Sequence, residues 1–296
     1  MAVVNDSVDI NIIIESMIAA HFTSCVQSPF NERSGIFFVT PPQQLKSSII
    51  KKLKLFPDAL VVSDLNYQQV NVVREDMCVG KYNTLAFVEF NKVYQRNPAT
   101  AMNLEGTLAS LACEGWSGPP HEDQRAARDE ARCLIIGGMT KATYATKLKQ
   151  WMESGFAQRF LWAHYKLEDN SIIGDAIAAQ EPIDLSGEVW TQPNGPIKWN
   201  LENKEVSTIR EWVSNQPGGE RLPFSIMLKM AVVLKWRYQK SSAKKDRNLH
   251  MKVLGQFKKL LQNRYVFVTV PKELRQKEEE LTEDETTYTL PSSEES

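Results

Sequence analysis

The sequence predicts an α/β fold: a mainly parallel five-stranded sheet flanked by helices, followed by a mostly helical C-terminal region. Three observations predict it. Five short apolar runs, of the kind shown by strands buried on both faces, lie between residues 35 and 167. Segments with helical spacing separate most of them. After an irregular stretch at 170–200, rich in Pro, Gly and Asn, the apolar pattern becomes helical.

The elements follow in order. Asp6 or Ser7 can cap a helix through Ile10, Ile14 and Ile18. A polar loop with Pro29 leads to the first strand, Ile36 to Val39, which ends at Thr40-Pro41-Pro42. Ile49, Ile50 and Leu53 mark a helix. Ala59 to Val62 is the second strand, ending at Ser63-Asp64, and Thr84 to Phe90 is the third. Asn97-Pro98 opens a helix with Leu104, Leu108 and Leu111 as its buried stripe. Cys133 to Ile136 is the fourth strand, ending in Gly137-Gly138-Met139-Thr140. Tyr144, Leu148 and Trp151 stripe the next helix, closed by Gly155, and Phe160 to Tyr165 is the fifth strand. Later helices are marked by Val206, Ile209 and Val213, by the apolar run from Pro223 to Trp236, and by Leu249, Val253, Phe257 and Leu260. A sixth strand is expected at Tyr265 to Val270. There is no internal repeat.

Composition bounds the class. A 42% hydrophobic fraction over 296 residues is ample for a core. No stretch approaches the ~20 apolar residues of a membrane span, and the N-terminus carries acidic residues where a signal peptide has basic ones. The four cysteines, Cys25, Cys78, Cys113 and Cys133, form no CxxC pair and read as free thiols of a cytoplasmic protein.

Residues Thr40 to Ser47 read T-P-P-Q-Q-L-K-S. The phosphate-binding motif G-x-x-x-x-G-K-[ST] wraps backbone N–H groups around phosphates, with Lys on the β/γ-phosphates and the hydroxyl on Mg²⁺. Lys46 and Ser47 keep the last two positions, between a strand and a helix, whereas Thr40 and Leu45 replace the glycines. A Leu Cβ disfavours the positive-φ backbone that glycine adopts.

With the later elements counted, residues 10–167 resemble the RecA-like and AAA+ branch of P-loop NTPases, closest to ATPase-like proteins of phages and mobile elements. The resemblance implies a sheet order of 5-1-4-3-2 and, as cofactors, ATP with Mg²⁺. It implies that Thr40, Gln43, Gln44, Lys46, Ser47 and Asp64 bind nucleotide, and that Ser47 and Glu89 hold the metal. Glu89 takes the place of the Walker B carboxylate, where the family usually has an Asp-Glu pair. Its other reading is a polar strand end. Thr140 takes the sensor place and also suits a helix N-cap. Arg159, just before the fifth strand, can stabilise transition-state charge in cis or across a subunit interface, or be a surface ion-pair partner.

Between Arg221 and Arg264 basic residues dominate, with Asp246 the only acidic one. Lys235, Arg237, Lys240, Lys244, Lys245 and Arg247, interleaved with Trp236 and Tyr238, are the candidates for contact with nucleic acid, DNA in the first instance. The helix–basic turn–helix–strand order is loosely like a winged helix. The expected divisions are 1–34 lead-in, 35–168 nucleotide-binding core, 169–200 linker, 201–271 basic helical region, and 272–296 a disordered acidic tail able to compete with nucleic acid. The implied function is an oligomeric ATPase acting on nucleic acid in phage or mobile-element replication or maintenance. The alternative is a hydrolysis-deficient scaffold or DNA-binding adaptor on the same fold, and the third reading is a fortuitous Lys-Ser match.

Overall fold

The computed structural model describes residues 10–30, 32–95, 97–116, 131–167, 190–214, 221–240 and 248–262. They fall within one compact unit, Met1–Arg264. The expected strand at 265–270, the acidic tail, Asp6 and Ser7, and Lys244, Lys245 and Arg247 lie outside the described residues, as does the side chain of Lys240.

Five strands form a single sheet: β1 (Gly35–Thr40), β2 (Ala59–Val62), β3 (Thr84–Phe87), β4 (Leu134–Thr140) and β5 (Leu161–His164). Every pairing is parallel, and the order β2-β3-β4-β1-β5 is the predicted 5-1-4-3-2 read from the other edge. Parallel strands need crossovers, which the helices supply. The crossovers are α2 (Lys46–Lys51), α3 (Tyr67–Val72), α4 (Arg74–Cys78), α5 (Pro98–Cys113) and α6 (Lys141–Glu153); α1 (Ile10–His21) precedes β1, and α7 (Asn203–Ser214), α8 (Arg221–Lys240) and α9 (Leu249–Gln262) follow β5. No helix among the described residues is long and apolar enough to cross a membrane.

Alternate residues of each strand point to opposite faces, and each face has its own core. Ile36, Phe38, Ile136, Ala163 and Tyr165 face α1, α2, α7, α8 and α9. Phe37, Val39, Leu85, Ile135 and Trp162 face the side covered by α5 and α6. On that second face Phe37 stacks on Trp162 at 4.8 Å between ring centroids, and Trp162 stacks on Trp151 at 5.1 Å.

The C-terminal helices therefore belong to the main core. α8 packs on α1 and α9, and α9 packs on β5. The expected linker is also part of it from Trp190 on, because Trp190 and Ile197 are buried and Trp190 packs against Phe22. The Pro, Gly and Asn that suggested a linker reflect an irregular backbone, and irregular backbone can still carry core side chains.

Two strand ends differ from expectation. The third strand stops at Phe87, and Phe90–Gln95 is a 3₁₀ turn that buries Phe90 and Val93 beside α5 and α6. β4 runs on through both glycines to Thr140. A Cβ on Gly137 would overlap the Phe37 ring, and one on Gly138 would sit 2.9 Å from Ile50 Cδ1 and 3.0 Å from the Val88 carbonyl oxygen. These glycines are strand residues without room for a side chain, not a loop.

Candidate phosphate-facing site

In an open parallel sheet, ligands bind beyond the carboxyl ends of the strands, where successive connections leave in opposite directions. Here that place is the end of β1. The chain leaves β1 for β2 on one side of it, while β5 lies on the other. The segment at that place is Thr40 to Ser47.

The loop is left-handed at Leu45, one of the two positions where the motif has glycine, and at Gln43, while Thr40 at the other stays in β1. Gln43 has φ 60° and Leu45 has φ 55°, both left-handed. Left-handed backbone costs a non-glycine residue about 1–2 kcal/mol, so two successive costs are borne within three residues. Strain of this kind persists only where surrounding contacts over-determine the backbone. Two such contacts come from the exit of β5. The buried Tyr165 hydroxyl donates to the Gln44 carbonyl oxygen at 3.1 Å, and the Gln44 side-chain oxygen accepts from the Leu167 N–H at 2.5 Å. Thr40 is fully buried and its hydroxyl donates to the Pro41 carbonyl oxygen.

Lys46 opens α2, a helix whose N-cap is the left-handed Leu45. The Lys46 stem runs beside Gly138: a Cβ built there would lie 3.3 Å from Lys46 Cδ, with the Val88 carbonyl oxygen on the same side. The side chain thus crosses the end of β4 alongside the residue that follows β3. It has no hydrogen-bond or ion-pair partner among the described residues. Ser47 is half-buried in the first turn of α2, where N–H groups have no intrahelical acceptor.

Thr140 ends β4 directly beside Thr40 in the β1–β4 register. Its hydroxyl caps α6, accepting from the Thr143 N–H at 3.3 Å and bonding the Thr143 hydroxyl at 3.0 Å. Its own N–H donates to the Asn91 side chain at 3.1 Å. Asn91 was not foreseen. It ties the turn after β3 to the end of β4, and a polar residue two positions past a strand-end carboxylate was the only signal for it.

Other expected residues sit elsewhere. Glu89 lies past the end of β3, half exposed, with its carboxylate 3.0 Å from the Lys92 ammonium. Asp64 follows β2, three strands from β1, or roughly 14 Å at the usual strand spacing. Gln44 is buried, and its side-chain oxygen accepts from the Leu167 N–H. Arg159 precedes β5, whose first residue pairs with Ile36 near the start of β1. It therefore lies at the N-terminal edge of the sheet, opposite the loop. There it donates to the Gly155 carbonyl oxygen at 3.0 Å and to Glu114 at 3.1 Å. That placement sets Arg159 apart from the Thr40–Ser47 loop.

The expected Mg²⁺ site at Ser47 and Glu89, and with it the ATP–Mg²⁺ pair, is corrected. No group of three or more His, Cys, Asp or Glu that could hold a metal ion occurs among the described residues. Glu89 is instead matched to Lys92.

Two of the basic candidates turn inward. Lys235 is bonded to Glu205 at 2.7 Å with its side chain 12% exposed. Arg237 is buried, stacked 4.1 Å over Trp190 and 3.8 Å from the wholly buried Glu15 carboxylate. Glu15 also accepts from Trp190 Nε1 and from the Tyr238 hydroxyl. Their cationic ends are thus spent within the protein, which removes them from a surface for polyanions. Charge counts along a helix could not show this, since the partners come from α1 and α7.

The chain matches no protein-family model and no curated protein.

Proposed function

We propose that this protein binds the phosphates of a nucleotide at the Thr40–Ser47 loop and does not turn it over. The observation that carries the reading is Lys46: a lysine on a left-handed strand-to-helix loop, laid across Gly138 at the carboxyl edge of a parallel sheet. Such a loop with a lysine suits an anion. Lys46 supplies the charge, and the amides at the start of α2 supply donors. The groups that hydrolysis asks for are arranged differently. The carboxylate after β3 is paired with Lys92, and Arg159 is at the opposite edge. This favours the hydrolysis-deficient scaffold over the ATPase. A nucleic-acid partner rests on Lys240, Lys244, Lys245 and Arg247, at the connection between α8 and α9.

Binding of a fluorescent ATP analogue, measured with and without EDTA, tests the reading. The wild type is expected to bind, and Lys46→Ala to bind at least ten-fold more weakly. Phosphate release should stay at the blank rate in the wild type and in Glu89→Gln. Turnover that Glu89→Gln abolishes would restore the ATPase. Absence of binding in the wild type would leave the Lys-Ser match fortuitous.

A further inference from the structure

We infer that Gln44 and Tyr165 are positioning residues: together they latch the Thr40–Ser47 loop in its left-handed form and tie that form to the chain leaving β5. The inference deepens the nucleotide reading above and rests on it for its ligand, but the latch itself is a separate claim.

The geometry is specific. Gln44 sits between the two left-handed residues, Gln43 and Leu45. It is held from both of its ends by one short stretch of chain. Its backbone carbonyl takes the Tyr165 hydroxyl proton, and its side-chain oxygen takes the Leu167 N–H. All three residues are buried, at 9% exposure or less. Tyr165 is in turn fixed, because its N–H donates to the Val39 carbonyl oxygen and its ring meets Phe38 edge-on. Burial pushes the Tyr165 hydroxyl far above its ordinary pKa, so it remains a donor throughout the accessible pH range.

A loop with glycines at these positions adopts positive φ without steric penalty. This loop has none, so its shape has to be imposed from outside. Among the described residues, the hydrogen bonds that reach Gln44 from another element come from the β5 exit. Because coupling is reciprocal, whatever fixes the loop also fixes residues 165–167, and the reverse holds.

Hydrogen–deuterium exchange on the whole protein tests this without a ligand. In Tyr165→Phe, which keeps the ring and removes one donor, and in Gln44→Ala, peptides covering 40–48 should exchange at least ten-fold faster. Peptides from β4 should not change, and the Leu167 amide should lose protection in Gln44→Ala. Unchanged loop exchange in Tyr165→Phe overturns the latch, even if Gln44→Ala does not fold. A second arm uses the fluorescent ATP analogue. At least five-fold weaker binding in Tyr165→Phe supports the positioning role, and equal affinity despite a loosened loop overturns it. If the wild type binds no nucleotide while the loop still loosens in the variants, the nucleotide reading fails and the latch stands.

Discussion

Gln43 and Leu45 carry the same backbone burden but are not equivalent. Leu45 packs partly against the core that α1 and α2 share, so its side chain returns some of the cost. Gln43 is exposed and has no such contribution from burial. Gln43→Gly should therefore be about 1 kcal/mol more stable than Gln43→Ala, which loses the same side-chain contacts but keeps the left-handed strain. For a unit of this size that corresponds to a difference in Tm of roughly 2–4 °C. Thermal denaturation followed by circular dichroism checks it. A glycine variant that melts no higher than the alanine variant would mean that the strain is not where the dihedral angle puts it.

At the scale of elements, three helices are tied by one acidic side chain. Glu205 on α7 accepts from the Glu202 N–H at 2.7 Å, from Lys235 on α8 at 2.7 Å and from His250 on α9 at 2.6 Å. Burial pushes the Glu205 carboxyl up, but the Glu202 N–H, Lys235 and His250 together hold it below its usual value. Asp58 behaves alike: burial raises it, and His21 and Asn83 more than offset that. Both groups are more acidic when folded. Their stabilisation is full above the unfolded pKa, about 4, and is lost as pH falls through the lower folded value. Tm should then be insensitive to these groups from pH 7 to 5 and fall steeply below about pH 4. In Glu205→Gln, Tm at pH 7 should be lower and the acid slope shallower. A slope unchanged in that variant would show that Glu205 titrates normally.

The reach of the sequence also differs by element. Parallel strands covered on both faces are continuous apolar runs, so all five were legible, including β2, which is only half-buried at the edge of the sheet. Their ends were not, because Phe90 is as apolar in a 3₁₀ turn as in a strand. Gly137 and Gly138 resemble a loop until Phe37 and Lys46 are seen to fill their space. The edge on which Arg159 falls was legible in principle, since a residue preceding a parallel strand belongs to the N-terminal edge. The left-handed loop was not, because its support comes from residues more than a hundred positions away.

At the scale of the molecule, the sheet shares one apolar core with its C-terminal helices. One face of β1, β4 and β5 is covered by α1 together with α7, α8 and α9, in a single apolar cluster. α1 itself keeps a buried carboxylate, Glu15, which Trp190, Arg237 and Tyr238, three residues from beyond residue 189, contact. A chain ending at residue 168 would expose that face and leave Glu15 buried or hydrated without these contacts, which for a buried pair costs about 3–5 kcal/mol. That is a large part of the 5–15 kcal/mol that usually separates folded from unfolded states. The truncated chain should therefore lose its near-ultraviolet circular dichroism and unfold without a cooperative transition, while the full chain melts in a single one. Arg237→Ala, which breaks the ion pair but keeps every helix, should lie between them, with one transition at a Tm lowered by roughly 6 °C or more. If the chain ending at 168 folds cooperatively on its own, the sheet and the helices are separate domains after all, and the shared core contributes little to either.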